Sequence, residues 1–135
     1  MISPKVYQQQ LQDLGIEGMV VSPGNTDEAS ILLNALEETE KILERIRHNI
    51  RIDIRAIRLD YMEKIKGIKD SSKVMGIYNK QRPMKDKIND KRKLIDERDF
   101  KIAPYESLEY TVDEYLRQIK DIKKYLKNYS RNYSD

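Results

Sequence analysis

The chain has 135 residues, with 26 lysines and arginines against 23 aspartates and glutamates, and it contains no cysteine. This length suits one domain, and the lack of thiols excludes a disulfide framework, a zinc ribbon and a cysteine nucleophile. No apolar run reaches the roughly 18 residues of a membrane-spanning helix, and the N-terminus lacks the layout of a signal peptide. We therefore expect a cytoplasmic protein that does not enter a membrane.

Residues 1–25 are predicted to form a short helix followed by an extended segment. Ser3 precedes Pro4, a pair that favours a helix start with serine at the N-cap and proline at the first helical position. Gly15 suits the left-handed conformation that often follows a helix end. The apolar run 16–21 is short and has no comparable partner for a sheet, so we expect it to pack on the helices.

A long helix is predicted over residues 26–68, because no proline or glycine interrupts it before Gly67. Its apolar side chains recur every eleven residues, a period of about 3.67 residues per turn that is close to a straight α-helix. The seam that these positions form comprises Leu43, Ile46, Ile50, Ile54, Ile57 and Tyr61. Ile52 and Leu59 lie on another face, which indicates a helix that is apolar on more than one side.

The rest of the chain is predicted to return alongside this helix. A connection over 69–82 leads into a basic helix over 83–102, which ends before Pro104 because proline disfavours helical geometry at the preceding residue. A final helix over 105–133 carries apolar residues in an unbroken heptad pattern. Its seam comprises Leu108, Val112, Tyr115, Ile119, Ile122 and Leu126.

The predicted fold class is therefore all-α. The single helical domain over 1–135 is expected to be an elongated antiparallel helical hairpin, or coiled-coil-like bundle, with one long helix and a proline-broken return. A chain of this shape buries little surface by itself, so its apolar seams need a second helix or a second copy to cover them.

Positive charge is concentrated in residues 64–101, where 13 cationic side chains outnumber 6 acidic ones. The candidates for nucleic-acid contact in this segment are Arg82, Lys85, Lys87, Lys91, Arg92 and Lys93. Such a patch can bind phosphate backbones in a salt-dependent way and without sequence preference. Alternatively, the acidic residues interleaved with these cations form intrahelical ion pairs, and the segment is a solvated helix face.

Two further charged sets also have both a functional and a structural interpretation. One face of the long helix carries Arg47, Arg51, Arg55 and Arg58. These arginines could contact phosphates, or they could pair with acids of a neighbouring helix. Glu37, Glu38, Glu40 and Glu44 could hold Mg²⁺ as in a nucleotide hydrolase, but Lys41 stands where another ligand is expected.

The leading functional hypothesis is a non-enzymatic oligomerisation, scaffolding or protein-interaction module that acts through the two seams, with a homodimer favoured. We predict no catalytic residue, metal ion or cofactor, because no nucleophile-elbow, P-loop or dinucleotide-binding pattern occurs. One alternative is a nucleic-acid-binding accessory protein that uses residues 80–101. The other is a metal-dependent all-α nucleotide hydrolase.

Overall fold

The computed structural model describes residues 1–74 and 84–133, which form three α-helices. These are α1 (Pro4–Asp13), α2 (Thr26–Val74) and α3 (Met84–Tyr133). The described residues contain no strand, so the predicted all-α class is confirmed.

Helices α2 and α3 form the predicted hairpin. Arg47 on α2 pairs with Asp113 on α3, and four residues further along α2, Arg51 pairs with Glu109. Residue numbers rise along α2 while those of their partners fall along α3, so the two helices are antiparallel. The chain divides into two compact units, of which the first comprises Met1–Arg51 with Ser107–Asp135 and the second comprises Ile52–Glu106.

Helix α1 begins and ends where the sequence predicts. Ser3 is its N-cap residue and Pro4 its first helical residue, although the serine side chain makes no capping hydrogen bond. The backbone N–H of Tyr7 donates to the carbonyl oxygen of Ser3 at 3.3 Å. Gly15 follows the helix with a φ of +64°, a conformation that costs glycine little because it has no Cβ. The buried side chains of Tyr7 and Leu11 anchor α1 in the first unit.

The segment between α1 and α2 packs on α3, as predicted, but it forms turns. The backbone N–H of Met19 donates to the carbonyl oxygen of Ile16 at 3.1 Å, and Gly18 adopts a φ of +78° within this turn. The side chain of Ile16 is fully buried, and its carbonyl oxygen accepts a hydrogen bond from Nε2 of Gln118 at 3.1 Å. Apolar burial and one long-range hydrogen bond therefore hold this segment in the first unit.

Helix α2 starts with paired capping interactions. Oδ1 of Asn25 accepts a hydrogen bond from the backbone N–H of Glu28 at 2.8 Å, and the Glu28 carboxylate accepts one from the backbone N–H of Gly24. This arrangement is related to the capping box and satisfies donors that the first turn of a helix leaves free.

The end of α2 lies beyond its predicted position. The helix continues through Gly67 to Val74 rather than ending at residue 68. A single glycine costs a helix only about 1 kcal/mol relative to alanine, so it does not by itself end one. The predicted connection over 69–82 is therefore helical up to Val74. Its remainder, together with Pro83, lies outside the described residues.

The structure also corrects the boundary predicted at Pro104. Residues 84–133 form one helix with Pro104 inside it, so the predicted helices over 83–102 and 105–133 are segments of α3. Proline removes one backbone hydrogen bond and strains the preceding turn. The side chains of Ile102 and Tyr105 flank Pro104 and are both buried. Their packing compensates for that local cost, which is why the helix continues.

Each unit has its own apolar core. In the first unit, buried side chains come from all three helices and include Leu43, Ile50, Val112, Ile119 and Leu126. In the second unit, Ile54, Ile57 and Tyr61 of α2 are buried together with Ile102 and Tyr105 of α3. The carboxylate-bearing Asp53 is also buried there. Burial, and then the charge of Asp53, raises the pKa of the Tyr105 hydroxyl above its usual value.

Candidate interaction surfaces

Most of the residues predicted to form the two seams are already covered within the single chain. The buried ones are Leu43, Ile46, Ile50, Ile54, Ile57, Tyr61, Val112, Ile119 and Leu126. Leu108, Tyr115 and Ile122 are half-buried. Because the antiparallel hairpin uses these side chains as its own core, a partner needs another surface to bind.

Three of the four arginines in the predicted stripe pair with carboxylates of α3. The pairs are Arg47 with Asp113 (3.1 Å), Arg51 with Glu109 (2.9 Å) and, in the second unit, Arg58 with Glu106 (3.8 Å). Arg55 is exposed. Exposed pairs of this kind contribute roughly 0–1 kcal/mol each, so they align the helices more than they stabilise them. This arrangement favours the ion-pair interpretation of the stripe over phosphate binding.

In the described part of the basic segment 80–101, some cations form ion pairs with other side chains of the chain, as Arg98 does with Asp99, and others do not. Its exposed members on α3 are Lys85, Lys91, Arg92 and Lys93, and Lys87 is half-buried. None of the ion pairs found within the described ranges involves these five residues. Arg82 lies outside the described residues. The free cations are available to an anionic ligand.

Two lysines of the second unit lie over the ring of one buried tyrosine. Nζ of Lys64 is 4.5 Å from the centre of the Tyr61 ring, and Nζ of Lys101 is 5.3 Å from it. A hydrogen bond to Tyr61, and then electrostatic attraction to that side chain, raises the pKa of Lys101 above its usual value. Lys101 therefore contributes to the second unit through this cation–π contact.

The acidic residues of α2 lie close to lysines. Glu38 is 3.4 Å from Lys41, whereas Glu40 and Glu37 lie 2.7 Å and 3.8 Å from Lys123 on α3. In the described part of the chain, no three His, Asp or Glu side chains are grouped closely enough to hold a metal ion. Glu37 and Glu40 thus join α2 to α3, whereas Glu38 pairs within α2.

An apolar stripe is exposed on the outward face of α2 in the second unit. It consists of Ile52, Ala56, Leu59 and Met62, and we call it the outer stripe. The exposed fractions of its three large side chains are 48% for Ile52, 52% for Leu59 and 61% for Met62. At 3.6 residues per turn, Ile52 and Leu59 point roughly opposite to the buried seam. Their seven-residue spacing in the sequence predicts this second apolar face.

Sequence reasoning did not identify a second basic surface, which lies on α3 in the first unit. Its members recur in steps of three and four residues, so they lie on one helix face. They are Arg117, Lys120, Lys124, Lys127 and Arg131, all exposed, and we call them the α3 basic stripe. The regular spacing predicts such a stripe, but a count of charges does not, because residues 102–135 carry equal numbers of cationic and acidic side chains.

The α3 basic stripe borders a cleft of about 850 Å³ between α3 and α2. Six cationic and three acidic side chains line this cleft: Arg117, Lys120, Lys123, Lys124, Lys127 and Arg131 against Glu40, Glu44 and Asp121. Leu116 and Asn128 complete the lining. The cleft is therefore net positive, with its cations on α3 and two of its three acids on α2.

Two groups of the first unit have pKa values that matter at alkaline pH. Burial is the main cause that raises the pKa of the Tyr115 hydroxyl, assisted by Glu17, whose Oε2 lies 3.5 Å from it. A hydrogen bond to Glu40 is the main cause that raises the pKa of Lys123, assisted by the charges of Glu40 and Glu37 and partly opposed by burial. Both groups retain their protons more strongly in the folded chain than in the unfolded chain.

We therefore expect thermal stability to fall as the pH rises above about 10. The unfolded chain loses the Tyr115 proton near its ordinary pKa of 10.0, whereas the folded chain keeps it, so rising pH favours unfolding. Lys123 acts in the same direction, because its pKa in the folded chain lies above the ordinary value of 10.5 and the unfolded chain therefore loses this proton first. Thermal melts followed by circular dichroism between about pH 8 and about pH 11 measure this effect.

The matched variants for this measurement are Tyr115→Phe and Tyr125→Phe. The first removes the buried hydroxyl, and we expect a shallower decline of melting temperature with pH. The second removes a hydroxyl from a side chain that is 52% exposed, and its decline should match the wild-type chain. Identical slopes for Tyr115→Phe and the wild type would contradict the assignment.

No family model, curated protein or solved structure matches this chain. Among the described helices, none combines the length and the apolar character that a membrane crossing requires. The candidate functional surfaces are the outer stripe and the basic surfaces of α3.

Proposed function

We propose that the protein is a non-enzymatic helical interaction module that self-associates through the outer stripe. The exposure of Ile52, Leu59 and Met62 along one face of α2 is the observation that carries this proposal. Isolated exposed apolar side chains are common on protein surfaces, but a row of them on one helix face is typical of a contact site. The predicted seams cannot serve, because the chain buries most of them itself.

The spacing of the outer stripe suits pairing with a second copy of the same helix. Ile52 and Leu59 take the a positions of two successive heptads, and Met62 takes the d position of the second. Arg55 takes the d position of the first heptad. Arg58 then takes a g position, and Glu63 takes the e position five residues later. In a parallel helix pair, a g residue faces the e residue of the following heptad on the other chain. Arg58 lies 3.8 Å from Glu106 of its own chain, a long and exposed contact that leaves the guanidinium able to reach Glu63 of the second copy. Charge complementarity between Arg58 and that glutamate supports a parallel homodimer.

We expect Leu59→Glu to convert the dimer to a monomer. The substitution places a carboxylate at the centre of the apolar contact, where an unpaired charge is costly to bury. Light scattering coupled to size-exclusion chromatography at several protein concentrations should give twice the 16.0 kDa chain mass for the wild type and the single chain mass for Leu59→Glu.

The matched control is Ile88→Glu, which changes a side chain that is also 52% exposed in the same unit but lies on α3. It should remain dimeric. A charge-reversing substitution, Glu63→Arg, should weaken the dimer, and adding Arg58→Glu should restore it. A wild-type chain that stays monomeric at every concentration would refute the proposal.

The second candidate function is nucleic-acid binding through residues 80–101. It is supported by the exposure of Lys85, Lys91 and Lys93 and by their absence from the ion pairs among the described residues. Binding of a labelled oligonucleotide that is lost when Lys85, Lys91 and Lys93 are together replaced by glutamate would support this segment as the site. No observation on the described residues favours the metal-dependent hydrolase.

A further inference from the structure

We propose that the α3 basic stripe binds extended chains of phosphate groups, of the kind that a nucleic-acid backbone or inorganic polyphosphate presents. Neither self-association through the outer stripe nor binding through residues 80–101 accounts for this surface. It belongs to the first unit, whereas the outer stripe and that segment belong to the second. Three features of the stripe support this proposal.

The first feature is that most cations of the stripe form no ion pair within the described part of the chain. Arg117 pairs with Glu114 at 2.9 Å, but Lys120, Lys124, Lys127 and Arg131 take part in none of the ion pairs found in the described ranges. A solvated surface helix usually interleaves cations with acids that neutralise them. Here a row of cations remains available to an external anion.

The second feature is how the acids of the facing helix are held. Lys123, which is half-buried beside the stripe, lies 2.7 Å from Glu40 and 3.8 Å from Glu37. This lysine therefore neutralises carboxylates that would otherwise repel a phosphate or attract the stripe. Glu44 and Asp121 remain in the cleft lining, and the lining as a whole stays net positive.

The third feature is the shape of the site. Steps of three and four residues place successive cations roughly 5 Å apart along the helix axis, and the whole stripe spans roughly 21 Å. A cleft of about 850 Å³ follows these residues, with Asn128 able to donate and accept hydrogen bonds. A linear series of charges beside a cleft suits a flexible chain of phosphates better than a flat anionic membrane surface.

The test is fluorescence anisotropy with a labelled single-stranded oligonucleotide, a labelled duplex, and inorganic polyphosphate as competitor. We expect the wild-type chain to bind at low salt and to weaken steeply as salt is added. Charge reversal by Lys120→Glu, Lys124→Glu and Lys127→Glu together should reduce affinity by at least about tenfold. The oligonucleotide and polyphosphate arms distinguish the two sources of phosphate.

The matched control reverses three exposed lysines of the segment identified from sequence, Lys85→Glu, Lys91→Glu and Lys93→Glu. It changes net charge by the same amount, so a general effect of charge would be equal in the two variants. If the α3 basic stripe is the site, the control should reduce affinity much less. The reverse result, with binding lost only in the control, would overturn the proposal and support residues 80–101. Binding to anionic phospholipid vesicles without binding to either phosphate chain would also overturn it.

A milder variant keeps the test decisive if the charge-reversed chain fails to fold. Replacing Lys120, Lys124 and Lys127 by glutamine removes three contacts without introducing repulsion. Each phosphate contact with a single strand contributes about 0.7 to the slope of log affinity against log salt. The slope should therefore fall by about 2, and an unchanged slope in a folded glutamine variant would refute the site.

Discussion

Replacing Leu43 by alanine should lower the free energy of unfolding by about 2–5 kcal/mol. The side chain of Leu43 is fully buried in the core of the first unit. Truncation removes apolar surface from that core and leaves a cavity that neighbouring side chains fill only in part. Urea denaturation followed by circular dichroism, at one fixed protein concentration because association also affects stability, measures the change.

The neighbouring residue provides the control. Ile42 lies one position earlier on the same helix, and its side chain is 44% exposed. Ile42→Ala removes an apolar side chain of the same volume, yet we expect a loss below about 1 kcal/mol, because nearly half of that surface already contacts water in the folded chain. Similar losses for both variants would mean that the face assigned to the core is incorrect.

Replacing Pro104 by alanine should raise the free energy of unfolding by about 1–3 kcal/mol. Pro104 is exposed and lies inside α3. Alanine restores the backbone N–H that can donate to the carbonyl oxygen of Phe100, and it removes the clash of the proline ring with that turn. The same urea experiment measures the gain, and far-UV circular dichroism should show no loss of helix.

Ser107→Ala serves as the control for this prediction. It places alanine at another exposed position of α3 where no proline is removed. The expected gain there is no more than about 0.5 kcal/mol, the difference in helix propensity between the two residues. A Pro104→Ala variant that is less stable than the wild type would indicate that the proline bends α3 so that Ile102 and Tyr105 can reach the core.

The two proposed surfaces are separable by experiment. The outer stripe is apolar, so self-association through it should depend weakly on salt, whereas binding by the α3 basic stripe should weaken steeply as salt rises. If the chain both dimerises and binds phosphate chains, the dimer carries two basic stripes. A polyanion long enough to contact the two stripes at once is then bound more tightly than by a single stripe.

Much of the fold could be predicted from apolar spacing. The eleven-residue pattern around Ile50 and the heptad pattern around Val112 each specify one buried face, and both residues are fully buried in the structure. Local chemistry was also informative, since Ser3 and Gly15 occupy the positions predicted for them at the two ends of α1. These features depend on neighbouring residues, which is why one sequence suffices to recognise them.

The errors arose where packing overrides local preference. Pro104 and Gly67 both disfavour helix by themselves, but the helices continue through them. The candidate sites were predicted less well, because a charged side chain is available to a ligand only if no opposite charge of the same chain faces it. Arg47 and Arg51 meet carboxylates of α3, whereas the equally regular cations of the α3 basic stripe mostly do not.

The sequence by itself thus determined that the chain is helical, which faces of its helices are apolar and where the first helix begins. Only the tertiary structure decided which apolar faces the chain covers itself, leaving the outer stripe exposed, and which cations stay free of acids. The physical reason is that periodicity is a property of one helix, whereas burial and charge neutralisation depend on residues from another helix. In pairs such as Arg51 and Glu109, those residues lie more than fifty positions apart along the chain.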